Sequence, residues 1–152
     1  WLLSYIHNVI IISKNNKYGV VSIQDNKEII PAKYDFIREG FTTDYDSTNY
    51  LTIQKGKYNL WNATYGAATK DGKVILEPKY SCIDFLEFND FIYAEKSNGG
   101  YLLDKDGNVI IDGLSGSILN IFTNKDRYYA IVSNSWHKQN YKDITKEVLG
   151  QS

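Results

Sequence analysis

Short apolar runs, each closed by polar residues, recur along this chain at a nearly constant spacing. Three of them end in a polar residue followed by a lysine: IIISK (10–14), LTIQK (51–55) and IYAEK (92–96). The lysines at positions 14, 55 and 96 are 41 residues apart, and a fourth run, AIVSN (130–134), ends 38 residues after the third. Self-similarity at a period of about 40 residues predicts a chain of repeated structural units.

The apolar runs have the composition and the alternation of β-strands. They are short, rich in β-branched and aromatic residues, and bounded by Asn, Asp and Gly. Leu51 and Ile53 alternate with polar neighbours, so they share one face of a strand. Residues 9–12 are all apolar, which indicates a strand buried on both faces. Each unit is therefore expected to be an antiparallel meander of three or four strands.

Pairs of turn-forming residues separate the predicted strands. We expect two-residue hairpin turns in which both central residues take positive φ, as Gly, Asn and Asp tolerate. These pairs are Asp25-Asn26, Asp71-Gly72 and Asp106-Gly107, and further turns are expected at 14–17 and 96–99.

A second signature follows each turn and completes the unit. Gly19 and Gly100 each precede an aspartate by six residues, and Gly66 precedes Asp71 by five. An apolar pair comes next, and two copies then carry Pro31-Ala-Lys-Tyr34 and Glu77-Pro-Lys-Tyr80. This unit resembles the bacterial WG-repeat (KWG) family. The position of the family's Trp corresponds to Tyr18, Tyr65 and Gly99 in the three copies.

One unit of about 40 residues cannot bury its own apolar face, so it must stack on its neighbours. The predicted fold is all-β: tandem antiparallel β-meander repeats stacked as an open solenoid-like or a propeller-like array. Residues 1–152 form one domain, with a partial unit at 1–8, units at about 9–49, 50–90 and 91–128, and a partial unit at 129–152. Residues 140–150 fit either a short helix, capped by Asp143 and ended by Gly150, or a strand pair.

Composition limits the possible classes of function. The net charge of −1 argues against nucleic-acid binding and against attraction to an anionic membrane surface. No apolar run approaches the ~18 residues of a membrane span, so no membrane insertion is expected. The chain has no Met, so either processing removed the initiator or this is a piece of a longer protein. The single Cys82 excludes an internal disulfide and a Cys-based zinc cluster, and we expect it to be buried.

No motif for catalysis, a metal or a cofactor stands out. His7 and His137 are the only histidines, and they share no metal-ligand spacing. Asp104, Asp106 and Asn108 are similar to an oxygen-rich calcium loop, but a hairpin turn explains the same residues without a metal. We therefore expect no enzyme, no catalytic residues, no metal and no cofactor.

The aromatic excess is the most suggestive feature for function. Tyr34 and Tyr80 recur at one place in the unit and are expected to be structural. Six other tyrosines do not recur in that way: Tyr45, Tyr50, Tyr65, Tyr128, Tyr129 and Tyr141. Tyr and Trp give large rigid contact areas at low entropy cost. The first hypothesis is a module for a protein or peptide partner, and the alternative is a carbohydrate-binding module that uses exposed Tyr and Trp. The candidate binding residues are Phe41, Tyr45, Tyr50, Trp61, Tyr65, Trp136 and His137.

Overall fold

The structure, a computed structural model, describes residues 2–6, 8–41, 47–56, 62–86, 91–135 and 138–150. Four antiparallel sheets follow one another in this part of the chain, and each is a meander of consecutive strands. The first sheet contains β1 (Leu2–Ile6), β2 (Val9–Lys14), β3 (Lys17–Ser22) and β4 (Lys27–Tyr34). The second sheet contains β5 (Phe36–Phe41), β6 (Ser47–Lys55), β7 (Thr64–Thr69) and β8 (Val74–Tyr80).

The other two sheets use the rest of the chain. The third sheet contains β9 (Cys82–Phe85), β10 (Phe91–Lys96), β11 (Gly99–Asp104) and β12 (Val109–Leu114). The fourth sheet contains β13 (Ser117–Asn124), β14 (Arg127–Ser135) and β15 (Lys138–Asp143), and the helix α1 (Thr145–Leu149) follows it. The predicted all-β class is confirmed: the sheets are open antiparallel meanders. No helix in the described ranges is long and apolar enough to cross a membrane.

Both alternatives for the C-terminal segment contribute to its structure. Strand β15 ends at Asp143, and the short helix then ends at Gly150, which takes the left-handed conformation with φ 66°. The helix cap is Ile144 rather than Asp143, and no side chain caps the helix. Asp143 instead accepts a hydrogen bond from the Thr145 N–H at 3.0 Å, immediately before the helix.

The sheets begin one strand earlier than the units defined from the sequence. Strand β6, which carries the LTIQK run, pairs with the preceding strand β5 through Ile37 and Ile53. The run before the lysine is therefore the second strand of its sheet. It has hydrogen-bonded neighbours on both sides, and in β6 the residues on both faces of the strand, Leu51 to Gln54, are buried.

The expected two-residue turns do not form at the three Asp-containing pairs, and a turn of that kind forms instead within residues 14–17, where only a turn was expected. Asn15 and Asn16 have φ values of 53° and 63°, as a two-residue hairpin turn requires. Among the three Asp-Asn and Asp-Gly pairs, only the second residue has positive φ, namely Asn26, Gly72 and Gly107. The second and third of these turns are three-residue loops, closed by hydrogen bonds from Thr69 N to Lys73 O (2.8 Å) and from Asp104 N to Asn108 O (2.9 Å).

Loop length also corrects the alignment of the copies. Ser22 pairs with Lys27 across a loop of residues 23–26, one residue longer than the later loops. Tyr18, Tyr65 and Gly100 hold equivalent places, opposite Tyr34, Tyr80 and Leu114. The counterpart of Gly19 in the third sheet is therefore Tyr101, not Gly100. The Tyr-Gly pair of the first two sheets is reversed to Gly-Tyr in the third, and Gly100, rather than Gly99, takes the place of the family's aromatic residue.

The repeated glycine is required by a bulge in the neighbouring strand. The pairing register of β7 with β8 shifts between Tyr65 and Ala67, the two residues on either side of Gly66. A Cβ atom on Gly66 would lie 2.2 Å from the Leu76 carbonyl oxygen, and one on Gly19 would lie 2.7 Å from the Ile30 carbonyl oxygen. Any side chain at these positions would collide with backbone, so the glycine fixes how the last strand of the sheet is attached.

Neighbouring sheets share apolar cores, as the stacking argument predicts. The first two sheets form one core: Val9, Ile11, Val20, Ile30, Tyr34, Ile37, Leu51, Ile53 and Ala68. The third and fourth sheets, with adjoining residues, form another: Leu86, Phe91, Tyr93, Leu102, Ile118, Ile121, Ala130 and Ile144. These cores belong to two compact units, which divide the described residues after Ile83. Cys82 is half-buried rather than fully buried.

A buried tyrosine links the first two sheets. The Tyr34 hydroxyl donates a hydrogen bond to a Glu77 carboxylate oxygen at 3.2 Å. Burial, the Glu77 charge and this hydrogen bond raise the pKa of Tyr34 to about 12. The recurrent Tyr of the Pro-x-Tyr signature therefore has the structural role expected of it in the first copy: its ring is packed and its hydroxyl is bonded.

Candidate functional site

Most of the binding residues proposed from the sequence lie where the structure describes no side chain. Phe41 ends β5, but its side chain is outside the described part, and Tyr45, Trp61, Trp136 and His137 lie wholly outside it. Tyr50 is only 5% exposed, so its ring offers little surface to a partner. Tyr65 is half-buried and pairs with Tyr80 across β7 and β8. The structure does not bring Tyr50 and Tyr65 together as neighbours in one exposed surface.

A different set of aromatic residues, two exposed and one half-buried, forms a continuous row of rings on the fourth sheet. Phe122 and Tyr129 are stacked, with ring centroids 5.3 Å apart and an interplanar angle of 21°. Tyr141 meets the Tyr129 ring edge-on, with centroids 6.1 Å apart. We call these three residues the aromatic face.

Strand alternation explains why these rings point outward. Ile121 and Ala130 are paired across β13 and β14, and both are buried in the core. The next pair along the ladder, Phe122 and Tyr129, must then point to the opposite side of the sheet. Phe122 is 41% exposed and Tyr141 is 73% exposed. Large apolar rings in such positions are unusual unless a surface is used for binding.

A charged cluster lies beside the aromatic face. The Arg127 guanidinium forms an ion pair with Asp143 across β14 and β15, and its Nε donates to Asp143 at 3.1 Å. Hydrogen bonds from the Thr145 hydroxyl, from Arg127 and from the Thr145 N–H hold the pKa of Asp143 at about 2. The side of the sheet that carries the rings thus ends in a fixed, ordered pair of charges.

The strand at the margin of this sheet is unlike its counterparts. β15 occupies the place that β3, β7 and β11 occupy in the other sheets, and each of those strands contains buried residues. Every residue of β15 is exposed. In the described part of the chain, the first three sheets place a fourth strand beyond this position, and the fourth sheet does not. The chain enters α1 instead.

A cleft in the first compact unit is lined by both polar and apolar residues. Its volume is about 380 Å³, and its described lining includes Asn8, Ser22, Asp25, Lys70 and Asp71. Ser22 accepts a hydrogen bond from the Asp25 N–H, and Lys70 forms an ion pair with Glu39, so these groups already brace hairpin loops. The Ser22 hydroxyl also donates a hydrogen bond to an Asp25 carboxylate oxygen at 3.4 Å.

The loop with a calcium-like sequence is held by its own side chains. One oxygen of Asp104 accepts hydrogen bonds from the N–H groups of Asp106 and Asn108, both at 2.9 Å. The other oxygen accepts from the Asn108 amide at 3.1 Å. Ser22 and Thr69 hold their own loops from the equivalent position. The Asp104 carboxylate therefore stabilises the hairpin loop.

Comparisons with known proteins support the repeat but name no activity. The family model described as "WG containing repeat" matches residues 19–44, which supports a WG-repeat family. No curated protein matches. A solved structure titled "Crystal structure of the eukaryotic initiation factor" is 8% identical, with a TM-score of 0.45. The alignment covers 92% of this chain and 40% of that one.

None of the three residues of the aromatic face is among the candidate binding residues predicted from the sequence. Tyr129 and Tyr141 stand out because they do not recur, but Phe122 was missed. No local signal marked Phe122, because its exposure follows from its pairing with Tyr129 across the β13–β14 hairpin.

Proposed function

We propose that this chain is a non-enzymatic repeat module that binds a protein or peptide partner through the aromatic face of the fourth sheet. The observation that carries the proposal is the contiguous set of rings on the fourth sheet, in which Phe122 and Tyr141 are exposed and the half-buried Tyr129 joins them. Rigid aromatic side chains lose little entropy on binding and dominate many interfaces. The module would serve as an accessory or docking segment of a larger bacterial protein of the KWG type.

A selected ligand tests this proposal. Peptides should be selected against the folded chain from a displayed random library, and affinity should then be measured by fluorescence anisotropy. Tyr141→Ala and Phe122→Ala should each weaken binding about tenfold or more, since each removes an exposed ring from the contact. Val109→Ala is the matched control, because Val109 is an exposed apolar residue of β12, outside the fourth sheet. Equal affinity of all three variants for the selected peptide would refute the proposal.

A carbohydrate ligand is the second candidate. Flat sugar faces stack on aromatic rings, and the Arg127–Asp143 pair beside Tyr129 offers hydrogen-bonding groups at the margin of the rings. A glycan panel with the same variants discriminates between the candidates. Binding of a glycan that is lost in Tyr141→Ala would favour the sugar, and an unresponsive panel beside a bound peptide would favour the protein partner.

A further inference from the structure

We propose that the open edge of β15 takes up an extended acidic peptide as a fourth strand of the fourth sheet. This inference rests on the proposed function and specifies how that partner would attach. It follows from the comparison of the four sheets. In the first three, the third strand in order is hydrogen-bonded on both sides, by the second strand and by the fourth. Its equivalent β15 pairs with β14 on one side only in the described part of the chain.

The free edge is a set of backbone donors and acceptors ready for another strand. β15 runs for six residues and pairs with β14 from Tyr129↔Asp143 to Ser135↔Lys138. Outward N–H and C=O groups of such a strand template the addition of an extended peptide. The helix α1 does not take this place, because it is not a strand and its main contacts are with β14 and β12.

The positive charge on β15 favours an acidic peptide at this edge. Lys138 and Lys142 are four residues apart on β15, so they point to the same side with Asn140 between them, and both are exposed. Neither forms an ion pair with any described residue. Lysines on an edge strand discourage pairing with a second copy in registers that oppose like charges. The same lysines attract a peptide with carboxylates at alternate positions.

The other side of β15 determines which residues are favoured between the acidic positions of the peptide. Gln139, Tyr141 and Asp143 alternate with the lysines, and Asp143 is already neutralised by Arg127. Apolar or hydroxyl side chains on the incoming strand would lie beside Tyr141, next to the aromatic face. The expected ligand is therefore an extended segment that alternates acidic with apolar or hydroxyl residues. Because β15 has no buried side chain, the peptide would gain little apolar burial, and its affinity should be low. The affinity should fall further as salt screens the charge pairs.

A designed peptide tests the inference directly. The probe is a fluorescein-labelled octapeptide with glutamate at every second position and valine or threonine between. We expect saturable binding to the whole chain, measured by anisotropy at low salt. The double variant Lys138→Glu/Lys142→Glu should weaken it about tenfold, because two attractive pairs become repulsive. Lys27→Glu/Lys73→Glu has the same charge change on exposed lysines away from β15 and should bind as the unmodified chain does.

Backbone pairing has its own control. The same peptide methylated on alternate backbone nitrogens, on the edge that would face β15, keeps its charges but loses donors to the ladder, so it should not bind. Equal binding of the methylated peptide, or an equal effect of the two double variants, overturns strand addition. Absence of binding by the octapeptide also overturns it. In either case the proposed function stands if the display-selected ligand still depends on Phe122 and Tyr141. Circular dichroism of each variant verifies that the fold is retained.

Discussion

At the level of single residues, Asp143 links the fourth sheet to the helix that follows it. Its carboxylate accepts hydrogen bonds from the Thr145 hydroxyl and N–H and is paired with Arg127. All three interactions favour the ionised form. The pKa of about 2 lies below the ordinary value of 3.8. The contribution to stability is therefore present above pH 4 and is lost as the pH falls through about 2.

Replacing Thr145 by valine tests which contact matters most. Thr145→Val removes the hydroxyl that contributes most to the shift, so the pKa of Asp143 should rise towards 3.8. Carboxyl carbon NMR across the acid range measures it. Thr123→Val is the control, because Thr123 is an exposed threonine of the same sheet that pairs with Tyr128 and not with β15. An unchanged titration of Asp143 in Thr145→Val would contradict this assignment.

At the level of elements, Gly66 determines whether β8 can attach across the bulge at the end of the second sheet. Gly66→Ala should lower the free energy of unfolding by about 3 kcal/mol, because the new methyl group meets backbone atoms that side-chain rotation cannot move. Gly113→Ala is the control: nothing lies within 4 Å of its added Cβ, and only its φ of 68° is unfavourable, which costs about 1 kcal/mol.

Urea denaturation gives both values. A cost for Gly66→Ala no larger than that for Gly113→Ala would mean that the strand shifts freely to make room. The bulge would then not be a fixed part of the unit.

Elements were easier to predict than their register or their faces. Residues 51–55 read as a strand from alternation alone, and they form part of β6. The extra residue in the loop before Lys27 can be recognised only from the strand pairing. The sequence alone therefore aligns Gly19 with Gly100, whereas the structural equivalent of Gly19 is Tyr101. The exposure of Phe122 depends on its partner in β14, which lies across a hairpin and beyond any local pattern.

At the level of the whole molecule, the fourth sheet differs from the other three in ways that act together. Its outer side carries stacked rings, and its last strand is exposed along its whole length. The other three sheets each have four strands in the described part of the chain, with buried residues in the third. The regular sheets would therefore serve as the support, and the irregular one as the surface for a partner.

Hydrogen–deuterium exchange of the whole chain, with and without a display-selected peptide, tests this division most directly. We expect slower amide exchange confined to β13, β14 and β15 when the peptide is bound. Protection that appears instead around the cleft at Ser22 and Lys70, with the fourth sheet unchanged, would contradict the account.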